Sequence, residues 1–293
     1  MKKQQIQRSC LMGFMVATLI GCSQPQTPTV QTSTPEPPQT TPITPNQTTI
    51  GEVGSMQFRA NGEDFVRKGL VSKDGWEINF DHVYLNFGEA IAYQSDPPYN
   101  AEAGGKPMAK TNISLVDKKT VDLAEGDENA QAIIVNEVPA PPGKYNAISW
   151  NLNKGTEGIL AGQVMVLEGV AKKGDQQVPF ILKFDQEMQF LCGDYVGEER
   201  KGVLPPGGKA DLEATFHFDH LFGDGKIAAT EELNTTALGF EPLAAIADQG
   251  ELSADLPTLK QKLSDADYQK LMVILSNIGH VGEGHCQGLT LNQ

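Results

Sequence analysis

The stretch that decides the fold runs from Trp76 to Phe87 and reads WEINFDHVYLNF. Apolar and polar side chains alternate along it, and a period of two is typical of a strand with one buried face. Glycine and proline separate this stretch from several other apolar runs. The further candidate strands are residues 132–135, 145–152, 162–170, 178–184 and 210–218. Short strands with turn signals between them predict a mainly β fold, an antiparallel β-sandwich.

The last quarter of the chain changes to helical patterns. The helix candidates are residues 242–247, 256–263 and 265–278. Ser264 or Asp265 caps the longest one, and its apolar side chains recur at three- and four-residue spacing. Gly279 is its predicted C-cap. The sequence thus predicts a sandwich domain over residues 51–225 and a helical C-terminal extension, residues 226–293, packed on it.

The N-terminal residues 1–21 have the pattern of an export signal. Lys2, Lys3 and Arg8 form a positive region, and an uncharged, mostly apolar run follows that is too short to be a comfortable membrane span. The run ends in Leu19-Ile20-Gly21-Cys22, which resembles the lipobox of bacterial lipoproteins.

The resemblance implies cleavage before Cys22 and attachment of acyl chains, such as palmitate, to that residue. Several acyl chains anchor a protein stably in a lipid bilayer without a transmembrane helix. Ser23, and not aspartate, follows the cysteine. In this class of protein that favours the outer membrane, with the folded part in the periplasm or on the cell surface. The expected location is therefore the cell envelope.

Residues 22–50 are almost entirely Pro, Thr, Gln and Ser and cannot form a core. They are predicted to be a flexible tether.

The formal net charge of the chain is −14. Such an acidic balance argues against nucleic acid as a partner, and the sequence identifies no protein partner.

Residues 139–145 precede an alternating run and read PAPPGKY. This turn and edge strand look like those that open hairpins in exported β-sandwich lipoproteins, including prealbumin-like ones. The resemblance is confined to these few residues. It supports the sandwich and assigns no functional residue.

Cys192 and Cys286 are the cysteines that remain after the signal and the lipidated position are set aside. In an exported protein a disulfide between them is the default expectation. The alternative is that both are thiolate ligands to a soft metal ion.

All five histidines fall in three short stretches. Phe80-Asp81-His82 recurs as Phe218-Asp219-His220, with His217 just before the second copy, and His280 and His285 flank a glycine-rich turn. On a strand, residues two apart share a face. Phe80 and His82 should then share one face of their strand, and Phe218 and His220 one face of theirs, with His217 on the opposite face. Both copies could thus present a histidine at one end of the sandwich.

Imidazoles gathered with carboxylates are the usual ligands of Zn or Cu. The predicted metal ligands are His82, His217, His220, His280 and His285. Asp81, Asp219 and Glu283 are predicted to be carboxylate ligands or acceptors that orient an imidazole ring. The leading hypothesis is therefore an anchored envelope lipoprotein that binds a transition metal.

Two other hypotheses remain open. The histidines could be hydrogen-bonded core residues of a structural or partner-binding envelope module with no metal. A hydrolase with a metal-bound water is the third, and nothing in the chain specifies its substrate. The sequence lacks the common hydrolase, zinc-protease and phosphate-loop motifs, which favours a non-catalytic protein.

Overall fold

Strand is the predominant secondary structure in this computed structural model, which describes residues 51–193, 196 and 201–291. The predicted signal, Cys22 and the tether lie outside the described residues. The strands are β1 Gly54–Asn61, β2 Leu70–Val71, β3 Glu77–Ser95, β4 Ala109–Val116, β5 Lys119–Asp122, β6 Ile133–Ala140, β7 Gly143–Lys144, β8 Ala147–Leu152, β9 Met165–Lys173, β10 Gln176–Phe184, β11 Met188–Cys192, β12 Val203–Leu204, β13 Lys209–Phe216, β14 Leu252–Asp255, β15 Gly279–Val281, β16 Gly284–His285 and β17 Gln287–Thr290. The helices are α1 Glu63–Lys68, α2 Asp219–Phe222, α3 Glu232–Thr236, α4 Glu241–Ala244, α5 Leu256–Lys262 and α6 Asp265–Ser276, with a 3₁₀ turn at Gly158–Leu160. The prediction of a mainly β chain is confirmed.

The described strands form two larger sheets and one small one. Ten strands belong to a sheet with the order β14-β10-β9-β3-β8-β11-β17, in which β2, β4 and β5 also pair with β3. Five form a second sheet with the order β16-β15-β13-β1-β6, and β12 pairs with β7. Most pairs are antiparallel, but β1 with β13 and β10 with β14 are parallel. The predicted wholly antiparallel arrangement is therefore wrong at these two pairs.

The two larger sheets contact each other through buried aromatic side chains. Phe58 of β1 lies 5.3 Å from Phe87 of β3, and Phe216 of β13 lies 6.0 Å from Phe87 and 6.3 Å from Trp150 of β8, all between ring centroids. All four side chains are fully buried. Removing one such ring from a core costs about 3–5 kcal/mol. This contact holds the C-terminal end of β13, and the histidine that follows it, against the core.

The segment after residue 225 contains helices and strands. The predicted cap at Ser264 is confirmed, because its hydroxyl accepts a hydrogen bond from the Asp267 backbone N–H at 3.1 Å. The predicted C-cap is wrong: α6 ends at Ser276 with Asn277 as its C-cap, and Gly279 begins β15. The strands of this segment join both larger sheets, β14 beside β10, β15 beside β13 and β17 beside β11. This segment therefore contributes strands to both larger sheets and is not purely helical.

One close approach explains why glycine stands at position 279. A Cβ atom built on Gly279 would lie 2.6 Å from the Phe190 ring, closer than real Cβ contacts come. Phe190 is fully buried in β11 and stacks on Trp150. Gly279 therefore lets β15 lie directly on the core, which fixes the position of the next residue, His280.

Among the described residues, no helix combines the length and apolar character needed to cross a bilayer.

Candidate metal centre

The second Phe-Asp-His copy begins where β13 ends. Phe216 is the last residue of the strand, and α2 starts at Asp219. The His220 backbone N–H donates to the carbonyl of His217 at 3.2 Å, so the chain turns here. The predicted strand geometry, with His217 and His220 on opposite faces, is therefore wrong. The turn brings their two rings to 5.3 Å between centroids.

The C-terminal hairpin brings two more histidines to the same place. β15 lies beside β13, with His280 opposite Thr215, and β16 lies beside β15, with His285 opposite His280. The His217 backbone N–H also donates to the Ile278 carbonyl at 3.1 Å. Directly opposed residues of neighbouring antiparallel strands have adjacent side chains. The sheet pairing alone therefore makes His280 and His285 neighbours.

The four rings form a continuous group. The His280 centroid lies 4.2 Å from that of His217, 4.9 Å from His220 and 4.8 Å from His285. His217 and His280 are buried, with 6% and 2% of their surface exposed, whereas His285 is exposed. The predicted gathering of the second and third histidine stretches is present, and we call these four residues the histidine cluster.

Carboxylates accompany the cluster. Asp219 Oδ1 lies 3.9 Å from His217 Nδ1, and Glu63 Oε1 lies 3.5 Å from His217 Nε2. The predicted carboxylates were Asp81, Asp219 and Glu283. Glu283 is exposed in the turn of the β15–β16 hairpin. Ligand atoms of His217, Asp219 and His220 all lie within 4.8 Å of one another. Two imidazoles and one carboxylate are a common donor set for Zn, with further positions left for other ligands.

Two buried polar atoms at this place lack a hydrogen-bond partner. They are Nδ1 of His280 and Oδ1 of Asp219. Nε2 of His280 lies 3.0 Å from the Asn277 carbonyl. With its proton on Nε2, the ring donates to that carbonyl and presents the lone pair of Nδ1. Metal-bound histidines are usually held by such a bond from the other ring nitrogen, so His280 can serve as a further ligand.

Burial keeps two histidines of the cluster, His220 and His280, uncharged near neutral pH. Burial, together with the neighbouring His217 and His220 rings, lowers the pKa of His280 to about 3. Burial also lowers the pKa of His220, against the opposing effect of Asp219. Near neutral pH both rings are therefore uncharged, which is the form that binds metal ions.

Glu63 also belongs to this site, although no pattern in the sequence indicated it. Its φ is +57°, a left-handed conformation that side chains other than glycine seldom adopt. Its backbone N–H donates to the side chain of Asn61 at 2.9 Å. Burial raises the pKa of the Glu63 carboxyl, although nearby His217 opposes this. Backbone strain of this kind is often found at functional sites.

His82 lies at a different place. A bulge in β3 pairs Phe80 with Gly169 and His82 with Glu168, so that Asp81 is the extra residue. The extra residue reverses the alternation: Ile78 and then Val83 face the core, and Phe80 and His82 do not share a face. The predicted shared face is thus wrong, although Phe80 does contact Phe218, with ring centroids 5.8 Å apart.

The contacts of His82 are unlike those of the cluster. Its Nδ1 lies 2.7 Å from Asp122, and its ring stacks on Tyr84 at 4.9 Å. Its side chain is 45% exposed, and Asp81 is exposed as well. The hydrogen bond to Asp122 raises the pKa of His82. His82 of the first Phe-Asp-His copy therefore forms a surface ion pair with Asp122 and is not part of the histidine cluster.

The predicted disulfide between Cys192 and Cys286 is confirmed. It joins β11 to the residue after His285, and both cysteines are buried. While the bond is intact the two sulfurs are not thiolate ligands. The cross-link therefore holds the end of the β15–β16 hairpin, which carries two of the four histidines.

No family model, curated protein or solved structure matches this chain.

Proposed function

We propose that this protein binds a transition-metal ion, Zn or Cu, through His217, Asp219 and His220, with His280 as a further ligand. The observation that carries the proposal is the set of ligand atoms from the first three residues, all within 4.8 Å of one another. The free Nδ1 of His280 and the free Oδ1 of Asp219 support it, because buried polar atoms rarely lack partners without a reason.

The charges of the site support a cation as its ligand. His220 and His280 are neutral near pH 7, while the carboxylates of Asp219, Glu63 and Glu283 are close by. A divalent ion would balance the negative charge of these carboxylates. Imidazole and carboxylate donors together suit Zn and Cu better than Ca, which prefers oxygen ligands alone.

The proposed setting is the cell envelope, with the protein anchored in a lipid bilayer through acylated Cys22. The support is the lipobox-like run that ends at Cys22, in the part of the chain outside the described residues. We propose further that the two larger sheets form a β-sandwich with a helical C-terminal extension packed on it. The aromatic contacts between the sheets and the buried Leu271 and Leu275 of α6 support this architecture. Such a protein would hold a metal ion for storage or delivery.

A second candidate function is a structural or partner-binding envelope module without metal. Nε2 of His217 lies 3.2 Å from the Gly282 carbonyl, and Nε2 of His280 lies 3.0 Å from the Asn277 carbonyl. Both rings thus have hydrogen bonds of the kind that core histidines make. Under this alternative, the cluster stabilises the packing of β15 on β13.

Elemental mass spectrometry on the purified, untagged protein separates the two. The proposal predicts about one Zn or Cu per chain, lost in His220→Asn and kept in His82→Asn. His82 is the matched control because it is a histidine in the same Phe-Asp-His context outside the cluster. A protein that contains no metal and takes up none on titration with Zn or Cu would favour the structural alternative.

A further inference from the structure

A groove with a volume of about 800 Å³ lies beside the cluster. Its lining includes residues of α3 and α6 together with His220 and His285. Small-molecule sites commonly have volumes of roughly 300–1,000 Å³. His220 therefore belongs both to the proposed metal site and to a groove of the size that holds an organic ligand, and His285, another member of the histidine cluster, lines the same groove.

The groove has an aliphatic side. Leu233 of α3 and Val273 and Ile274 of α6 line it. Val273 is 60% exposed, so its side chain is accessible to a ligand in the groove. Burial of an alkyl chain against such side chains is favourable by about 0.8 kcal/mol per methylene.

The charged side chains of the groove nearly balance. Lys270 lines it and donates hydrogen bonds to the carbonyls of Thr235 and Ala237 at 3.1 and 3.2 Å. Glu232, an exposed carboxylate, lines it as well. The groove walls alone therefore favour neither an anion nor a cation. A metal ion beside His220 would add positive charge at this place, and an anionic head group would complement it.

We propose that the groove binds an amphiphilic carboxylate, such as a medium-chain fatty acid. Its carboxylate would be a further ligand, the fifth beside those of the protein. Its alkyl chain would lie along Leu233, Val273 and Ile274. This inference rests on the metal site proposed above and adds the class of its second ligand. The structure supports this class because an imidazole end and an aliphatic side occur in one groove.

The test uses the purified protein loaded with Co(II), whose visible absorption reports changes in its ligands. Octanoate and acetate are compared as probes. Octanoate is expected to change the Co(II) spectrum and to bind at least about 30-fold more tightly than acetate, since part of its chain is buried. Val273→Ser is expected to weaken octanoate binding by about fivefold and to leave acetate binding and Co(II) content unchanged.

Val53→Ser is the matched control, because Val53 is also an exposed valine but does not line the groove. It should leave octanoate binding unchanged. If Co(II) binds but octanoate binds no better than acetate, or leaves the spectrum unaltered at saturation, the inference is overturned and the metal site stands. If Co(II) does not bind at all, the proposed function fails and this inference fails with it.

Discussion

The imidazole of His217, just after β13, lies 4.2 Å from that of His280 in β15, centroid to centroid, and both rings are buried. The His217 ring at this distance disfavours protonation of His280. The backbone places them, because β15 pairs with β13 and the His217 N–H donates to the Ile278 carbonyl. The pair is therefore a fixed feature of the fold, available to a metal ion without rearrangement of the strands.

Asp219→Asn should weaken metal binding by about tenfold or more, since altered metal ligands and their neighbours typically have effects of this size. Asparagine keeps the shape of the side chain and removes its charge. Asp81→Asn is the matched control, because it changes the same position of the other Phe-Asp-His copy, where the side chain is exposed. Competition with a chromophoric chelator at neutral pH measures both affinities. Equal losses in the two variants would contradict the assignment of Asp219.

The metal-free protein should lose stability in mild acid. The pKa of His280 is about 3 in the fold, whereas an unfolded histidine titrates near ~6.5. Its stabilising contribution is thus present above about pH 6.5 and is lost as pH falls toward 3, with a slope of about 1.4 kcal/mol per pH unit. The titratable groups that act on it are His217, His220 and His285.

Urea unfolding of the wild type and of His280→Asn, repeated between neutral pH and about pH 5, checks this slope. The variant should show a shallower loss. His82→Asn is the control with the opposite sign: the pKa of His82 is raised, so its small contribution disappears as pH rises. A wild type with the same unfolding free energy at both ends of the range would contradict a neutral, buried His280.

Three features could be predicted from the sequence. The alternation in residues 76–87 predicts the central strand, the capping residue Ser264 predicts the start of α6, and the pair of cysteines predicts the disulfide. The bulge at Asp81 was not predictable, because one extra residue leaves the composition of the strand unchanged and only its pairing with β9 reveals it. Because of that bulge, His82 does not share a face with Phe80, and the predicted grouping of His82 with the other histidines fails.

Glu63 could not be found from the sequence for a related reason. It reaches His217 because β1 lies parallel to β13, a contact between distant parts of the chain that no local pattern encodes. The turn at His217 was equally hidden, since alternating Phe216 and Phe218 imitate a continuing strand. Local periodicity predicts elements, whereas long-range pairing decides which side chains meet.

Glu63→Gly should be more stable than Glu63→Ala by about 1 kcal/mol, because glycine adopts a positive φ without strain. Both variants lose the carboxylate, so their difference isolates the backbone conformation at φ +57°. Thermal or urea unfolding of the metal-free proteins measures it. An alanine variant as stable as the glycine variant would show that position 63 is not strained.

Cys286→Ser should destabilise the protein by about 4–5 kcal/mol, the loss expected for opening a loop of nearly a hundred residues. The sequence separation of the two cysteines is 94. A reductant should lower the urea midpoint of the wild type and leave that of the variant unchanged. If the wild type unfolds at the same urea concentration with and without reductant, the cross-link does not contribute to stability.

The central claim is that His217, Asp219 and His220 bind one metal ion. Anomalous diffraction at the zinc edge, on crystals of the protein soaked in Zn, tests it most directly. The account predicts one peak about 2.0–2.2 Å from a nitrogen of His217, a nitrogen of His220 and an oxygen of Asp219. No peak at the cluster, or a sole peak at His82 and Asp122, would contradict it.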